Sequence, residues 1–256
     1  MYKTLVFTDG GIQQGTSCGG SLIVKFSDLD NYYIDFAKVK ICAESTNNEG
    51  ELFGIYMALQ ALKPNNEIPY TIYSDSEYSV KSLTNWILDW VKTYKETKRN
   101  SLIMPQMLTK SKSEVKNCKL LCMIINHIVQ NNLKVRFKNV KGHSNKSNSS
   151  DVEYQMNYYN RANKDSITLE EAKFICDFND RVDKLCTYYI DNYCNGDYDD
   201  IEDTTFESQD YDFLTSIDIR RTKDFEDSRY YKKYLLNSAI IQKYKELIGY
   251  GTDYKK

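Results

Sequence analysis

LVFTDGG, Leu5 to Gly11, is a short apolar run that breaks into an aspartate and two glycines. Taken alone, Asp9-Gly10 is turn punctuation, since Asp-Gly is a common turn dipeptide. A second run, YTIYSD (Tyr70–Asp75), ends on a carboxylate in the same way. Between them NNEGELFGIYMALQAL spaces Leu52, Ile55, Leu59 and Leu62 as one helical face, carries Glu51 in its first turns and is followed by Pro64. If the two runs are neighbouring strands, Asp9, Glu51 and Asp75 meet at one edge of a sheet. Like charges gathered in that way repel. A divalent cation reverses the sign of that energy, and Mg²⁺ favours carboxylate oxygens while keeping positions open for water and phosphate. The pattern therefore points to metal-assisted phosphoryl chemistry.

Working outward, Leu5–Thr8, Ser21–Phe26 and Tyr32–Ile41 read as three antiparallel strands joined by Gly-rich or Asp/Asn-rich turns. The helix, a fourth strand ending at Asp75, one or two helices through SEYSVKSLTNWILDWVKTYKETK, helical spacing over Glu114–Gln130 and a fifth strand, LKVRFKNV (Leu133–Val140), follow. This is an α/β pattern: a five-stranded mixed sheet, three antiparallel strands and then parallel ones, flanked by helices. Asn145–Ser150, NKSNSS, reads as a polar loop. Thr168 and Glu171 form a capping box that opens a long helix to about Tyr193. Gly196–Asp227, with 12 Asp+Glu against Arg220, Arg221 and Lys223, reads as an acidic linker. The last segment regains a helical stripe through Leu235, Ile240, Tyr244 and Ile248, which must dock to be stable in water.

The chain of 256 residues has a net charge of −2 that conceals a division. Met1–Lys146 holds 19 Lys+Arg against 13 Asp+Glu, while Ser147–Lys256 holds 15 against 23. The front suits a polyanion and the back does not. Seven cysteines, odd in number and without a C-x-x-C pair, read as reduced thiols in core positions. No early apolar run is long enough for a signal peptide or membrane span, so a soluble, intracellular protein is expected, cytoplasmic or else nucleoid or nuclear, with no membrane partner.

Five stretches, FTDGG (Phe7–Gly11), TNNEGEL (Thr46–Leu52), YSDSEY (Tyr73–Tyr78), VKGHSN (Val140–Asn145) and NDRVDKL (Asn179–Leu185), resemble the successive signatures of the ribonuclease HI family, in its order. The resemblance implies a ribonuclease H-like fold and a Mg²⁺-dependent endoribonuclease that cleaves the RNA strand of RNA/DNA hybrids, leaving 5′-phosphate and 3′-hydroxyl ends, with primer removal in replication as a natural role. It assigns Asp9, Glu51, Asp75 and Asp183 as the catalytic carboxylates holding two Mg²⁺ ions, with Mn²⁺ as a substitute, one ion activating water and the other stabilising the leaving oxygen. Asp180, at a usually acidic position three residues earlier, competes poorly with Asp183. His143 matches the histidine that assists proton movement or product departure; His127 reads as a packing residue.

For the substrate, the resemblance assigns Asn47 and Asn48 to reading RNA in the minor groove, where the 2′-hydroxyl distinguishes it from DNA. Thr46 and Asn85 match groups that hold a DNA phosphate. Val91–Lys119 carries eight Lys+Arg, among them Lys95, Lys98 and Arg99, against Glu96 and Glu114. This net +6 resembles the family's basic handle, with Trp90 either stacked on the DNA backbone at its root or in the core.

The resemblance covers residues 1–194, read as the catalytic domain, with an insertion at about 146–178 that is a lid, a specificity element or a disordered loop. Residues 195–256 form an acidic linker and helical extension open to a protein partner. With the first strand at the start of the chain, no separate N-terminal hybrid-binding domain is expected, and a monomer is favoured. Two other readings stay open: a nuclease of the same fold acting on another nucleic acid, and a non-catalytic hybrid-binding module blocked by the insertion or tail.

Overall fold

The computed structural model describes residues 3–29, 31–43, 45–99, 102–196, 220–221 and 236–250. Three long strands open it: β1 (Lys3–Gln13), β2 (Thr16–Asp28) and β3 (Asn31–Ala43), each antiparallel to the next. α1 (Asn47–Ala61) crosses to β4 (Asn65–Ser74), which runs parallel to β1, and β7 (Leu133–Asn139) runs parallel to β4. A two-residue strand, β8 (Arg220–Arg221), pairs with the end of β3, so the order is β7-β4-β1-β2-β3-β8. The five long strands are the mixed sheet that the alternation of periods requires.

α1 is buried from Gly50 through Leu59, not along one stripe. The sheet lies on one side of it and α4 (Cys118–Gln130) on the other, so every face is apolar or small. Its first turns touch β2 backbone to backbone: a Cβ on Gly19 would stand 2.3 Å from the Gly50 carbonyl oxygen and 2.5 Å from the Gly54 nitrogen. Only glycine permits that approach, and it lowers Glu51 onto β1. On the opposite face α6 (Leu169–Asn195) lays Phe178, Val182, Leu185 and Tyr189 on Phe7, Leu22, Val24 and Val39. Phe178 stacks on Phe7 at 5.3 Å; truncating such a buried ring to alanine costs about 3–5 kcal/mol. The Thr168–Glu171 capping box opens α6, and Gly196 closes it in a left-handed turn.

Four elements differ from the sequence expectation. β1 does not stop at Thr8; it continues to Gln13 on β2, and what stops at Thr8↔Ser74 is its parallel pairing with β4. The helical run after Asp75, α2 (Glu77–Lys81), a π turn (Ser82–Trp86) and α3 (Ile87–Trp90), ends before Lys95, and Lys95–Arg99 is instead β5, antiparallel to β6 (Leu102–Gln106). Pro105 in that partner segment excludes a continuing helix and suits a two-stranded ribbon with free edges. Glu114 lies outside α4 and forms a bridge with Leu108 instead. NKSNSS is not a free loop: Asn148 accepts from Ser150 N–H and caps α5 (Ser149–Asn163). The segment expected as an insertion, 146–178, is thus α5 and the front of α6, joined around Asp165 and packed through Val152, Ala172 and Cys176.

α7 (Ser238–Leu247) docks on α4 and β7, burying Tyr244, Leu247 and Ile248 in the same core as α1. The buried Tyr244 hydroxyl donates to the Leu83 carbonyl at 2.7 Å. Most of the acidic stretch, 197–219, lies outside the described residues. No helix among the described residues is long and apolar enough to cross a membrane.

Candidate active site

Asp9 sits just past the point where β1 loses β4 as a partner. Asp75 follows the last residue of β4, and Glu51 descends from the first turns of α1. One carboxylate oxygen from each lies within 4.8 Å of the others. Asp9 and Glu51 are 3% and 5% exposed, so these two carboxyls are nearly dry. Burial holds Asp9 well above the usual carboxylate range, and the charges of Asp75 and Glu51 push it further; the Gly10 N–H bond at 2.7 Å pulls the other way. Glu51 is raised by burial and by Asp75, and Asp75 by burial against the hydrogen bonds it receives.

The cluster has the features of a hard-cation site. Glu51 Oε2 is buried with no hydrogen-bond partner among the described residues, a state that costs about 1–3 kcal/mol or more for a charged oxygen. Among the described residues, Glu51 Oε1 has only the amide of Asn47, at 3.5 Å. An all-oxygen donor set with an unmatched oxygen suits Mg²⁺ or Mn²⁺ and not a thiolate- or imidazole-seeking metal.

Asp183 stands outside this three-residue group, 31% exposed, and its Oδ2 lies 3.8 Å from Nδ1 of His143. It still acts on the cluster, since its charge raises Asp9, Glu51 and Asp75. His143 is 84% exposed on the loop after β7 with a left-handed backbone, φ +54°. Asp180 is turned away, 2.7 Å from Lys184. His127 reaches the Leu59 carbonyl at 3.0 Å and packs edge-on to Tyr56.

Four supporting residues carry no assignment from the sequence motifs. Asn179, buried and one turn before Asp183 on α6, donates its amide to Asp75; its spacing of four from Asp183, which puts both on one helix face, is the signal that marks it. Gly142 lies so close to Asp75 that a Cβ would stand 2.3 Å from Oδ2. Gln155 of α5, fully buried, accepts the Lys141 N–H at 2.8 Å, while Asp151 accepts that of Asn145 at 3.2 Å. The insertion thereby holds the His143 loop from both sides.

Around the acids, Thr46 caps α1 by accepting from Glu49 N–H at 3.3 Å, and Asn47 and Asn48 are exposed beside it. Asn85, on the π turn, lines a cavity at the β7 edge whose walls do not include Thr46. Trp90 is partly buried against the core and lies 5.7 Å from Trp86, which is 38% exposed. Lys95 is exposed on β5; the side chains of Lys98 and Arg99 lie outside the described residues. Part of the basic charge is locally offset, with Asp89 held by Lys92 at 2.6 Å and Lys110 at 3.5 Å.

Comparison with known proteins bears on this geometry. The family model for RNase H matches residues 1–154. A ribonuclease H of Ruthia magnifica subsp. Calyptogena magnifica is 29% identical over 147 residues, covering 56% of this chain and 86% of its own length. One of Rhizobium etli is 30% identical over 143 residues, covering 54% of this chain and 79% of its own. Among solved structures, LC9-RNase H1, a type 1 RNase H with the type 2 active-site motif, superposes with a TM-score of 0.43 at 17% identity, over 63% of this chain and 74% of that one. The family match ends inside α5, so α6 and α7 lie beyond it.

Proposed function

Because the chain belongs to the RNase H family of enzymes, we propose that it is a Mg²⁺-dependent endoribonuclease that cuts the RNA strand of RNA/DNA hybrids and leaves 5′-phosphate and 3′-hydroxyl ends. The observation that carries this reading is the buried trio Asp9, Glu51 and Asp75 with an orphaned Glu51 oxygen.

In this reading Asp9, Glu51 and Asp75 hold the metal, and Asp183 completes the ligand set at the rim. A pair of Mg²⁺ ions, when bound, supplies activation of the attacking water and charge stabilisation of the leaving 3′ oxygen. The residues of the chain provide the rest. Gly142 and the Asn179 amide fix the Asp75 carboxylate, the latter by donating to it. His143 is exposed next to Asp183 and takes up or delivers a proton at Nδ1, and the insertion helix keeps its loop in place. The buried walls exclude water on the side away from substrate, which strengthens every charge interaction inside. Asn47 and Asn48 stand at the N-terminus of α1 to contact the RNA strand, and the basic β5–β6 ribbon contacts phosphates on the DNA strand.

The test is cleavage of a labelled RNA/DNA hybrid by the full chain in Mg²⁺, beside Glu51→Gln and beside RNA and DNA duplexes. RNA-strand cuts with extendable 3′ ends are expected, with Glu51→Gln slower by on the order of a thousandfold, the equivalent of several kcal/mol of lost charge stabilisation. Cleavage of DNA duplex in place of hybrid, or hybrid binding without metal-dependent cleavage, overturns the assignment.

A further inference from the structure

β7 is the outer strand of the sheet beside β4, and an outer strand presents backbone groups that have to be covered. Two pieces of the chain cover it. Asn163, at the end of α5, accepts the Asn139 N–H at 2.8 Å and donates to the Asn139 carbonyl at 2.7 Å, the pair of bonds that a neighbouring strand would make. From the other side, Arg136 of β7 donates to the Leu247 carbonyl at 3.4 Å at the end of α7 and lies directly against Gly249. Between these covers, α2 and the π turn, a cavity of about 720 Å³ remains.

Its wall collects Lys81, Arg136, Lys138, Arg161 and Lys164 against one carboxylate among the lining residues, Glu77. Glu77 pairs with Lys81, and Asp165, just outside, with Lys138 at 2.9 Å. The amides of Asn85, Asn139 and Asn163 and the rings of Tyr158 and Tyr250 complete the lining, with Tyr250 49% exposed. Cations to track a backbone together with the exposed Tyr250 ring to receive a base make up a single-strand platform.

The cavity adjoins the acid cluster. Asn139 pairs with Ser74 across the sheet and donates Nδ2 to its carbonyl at 3.1 Å, and Ser74 is the residue before Asp75. Strands lie about 4.8 Å apart, so the cavity begins roughly 10 Å beyond the acids. Charges along one nucleic-acid strand recur about every 3.4 Å or more, so a strand spans that gap in about three nucleotides.

We propose that this cavity is a second nucleic-acid contact, which binds the backbone phosphates of an unpaired strand leaving the hybrid beside the acid cluster. It deepens, and rests on, the reading of the chain as a hybrid nuclease. Arg161 and Lys164, exposed at the end of α5, form the mouth.

Fluorescence anisotropy on the full chain in EDTA compares a blunt hybrid with the same hybrid carrying a short single-stranded DNA overhang, across a salt series. The overhang is expected to tighten wild-type binding by about tenfold and to steepen the salt slope. Arg161→Glu with Lys164→Glu is expected to abolish that gain and to lower the slope by about 1.4, the share of two phosphate contacts on a single strand. Arg161→Gln with Lys164→Gln is expected to lower the slope equally with a smaller loss of affinity. Blunt-hybrid binding and cleavage stay at wild-type level in both, which separates a lost contact from a damaged fold. An overhang that adds nothing, a gain that survives charge reversal, or displacement of the overhang by micromolar ADP, which marks a small-molecule phosphate site, overturns the proposal. If the wild type cleaves no hybrid and the overhang effect still disappears with Arg161 and Lys164, the nuclease reading falls and the strand contact stands.

Discussion

Replacing Asp9 by asparagine should stabilise the metal-free protein while removing its activity. The three carboxylate oxygens lie within 4.8 Å of one another, and at an effective dielectric of about 20 two charges at that distance repel by about 3.5 kcal/mol. Asp9 faces two such neighbours, but protons retained by the raised carboxyls already relieve part of the strain, leaving a net gain of about 2 kcal/mol for the neutral side chain. Asparagine keeps the oxygen that accepts the Gly10 N–H. A folded-state value above the ordinary one means that the folded chain holds protons which the unfolded chain has released. The metal-free wild type therefore loses stability as pH rises from about the ordinary values, 3.8 for aspartate and 4.5 for glutamate, through the raised ones. Thermal melts in EDTA at pH 8 should place Asp9→Asn roughly 4–8 °C above wild type, with the gap closing towards pH 4. Saturating Mg²⁺ should invert the order, because a ligand at a hundred times its Kd adds about 2.7 kcal/mol to the protein that binds it. An asparagine variant that melts at or below wild type in EDTA at pH 8 refutes the claim that these acids are gathered at a cost which only a cation offsets.

Gly142→Ala should cut kcat by on the order of a hundredfold, because a Cβ 2.3 Å from Asp75 Oδ2 displaces either the loop or the carboxylate; a wild-type kcat would show that the loop gives way without moving Asp75. Tyr244→Phe should lower the unfolding free energy in urea by about 1–3 kcal/mol, since it strands the buried Leu83 carbonyl, and an unchanged midpoint would mean that α7 is not part of the core.

The strand-and-helix order and the convergence of Asp9, Glu51 and Asp75 were legible because each rests on a local signal: apolar runs ending in carboxylates, and a helix of clear period between them. What escaped has a physical cause in each case. β5, KETKR, has no apolar alternation, so only its pairing with Leu102–Gln106 makes it a strand. α5 buries Val152, Gln155 and Tyr159, and a glutamine at a core position removes the apolar period by which a helix is read. α1 is buried all round, so its one apparent face understated its packing. Asp9 looked like a strand end because pairing with β4 ends there, and sequence does not distinguish the loss of one partner from the loss of both.

The insertion and the C-terminal helix, which lie far apart in sequence, answer the same structural need. β7 lies at one edge of the sheet and has no strand on its outer side among the described residues. Asn163 supplies the missing pair of backbone bonds at Asn139, and the Arg136–Leu247 contact ties down α7 a few residues away. The same helix α5 that closes the edge also grips Lys141 and Asn145 on either side of His143. Closing the edge and holding the His143 loop are therefore one mechanical unit. A change at Asn163 that loosens α5 should then reach His143 through Gln155 before it reaches the carboxylates, which are held independently by α1 and β4.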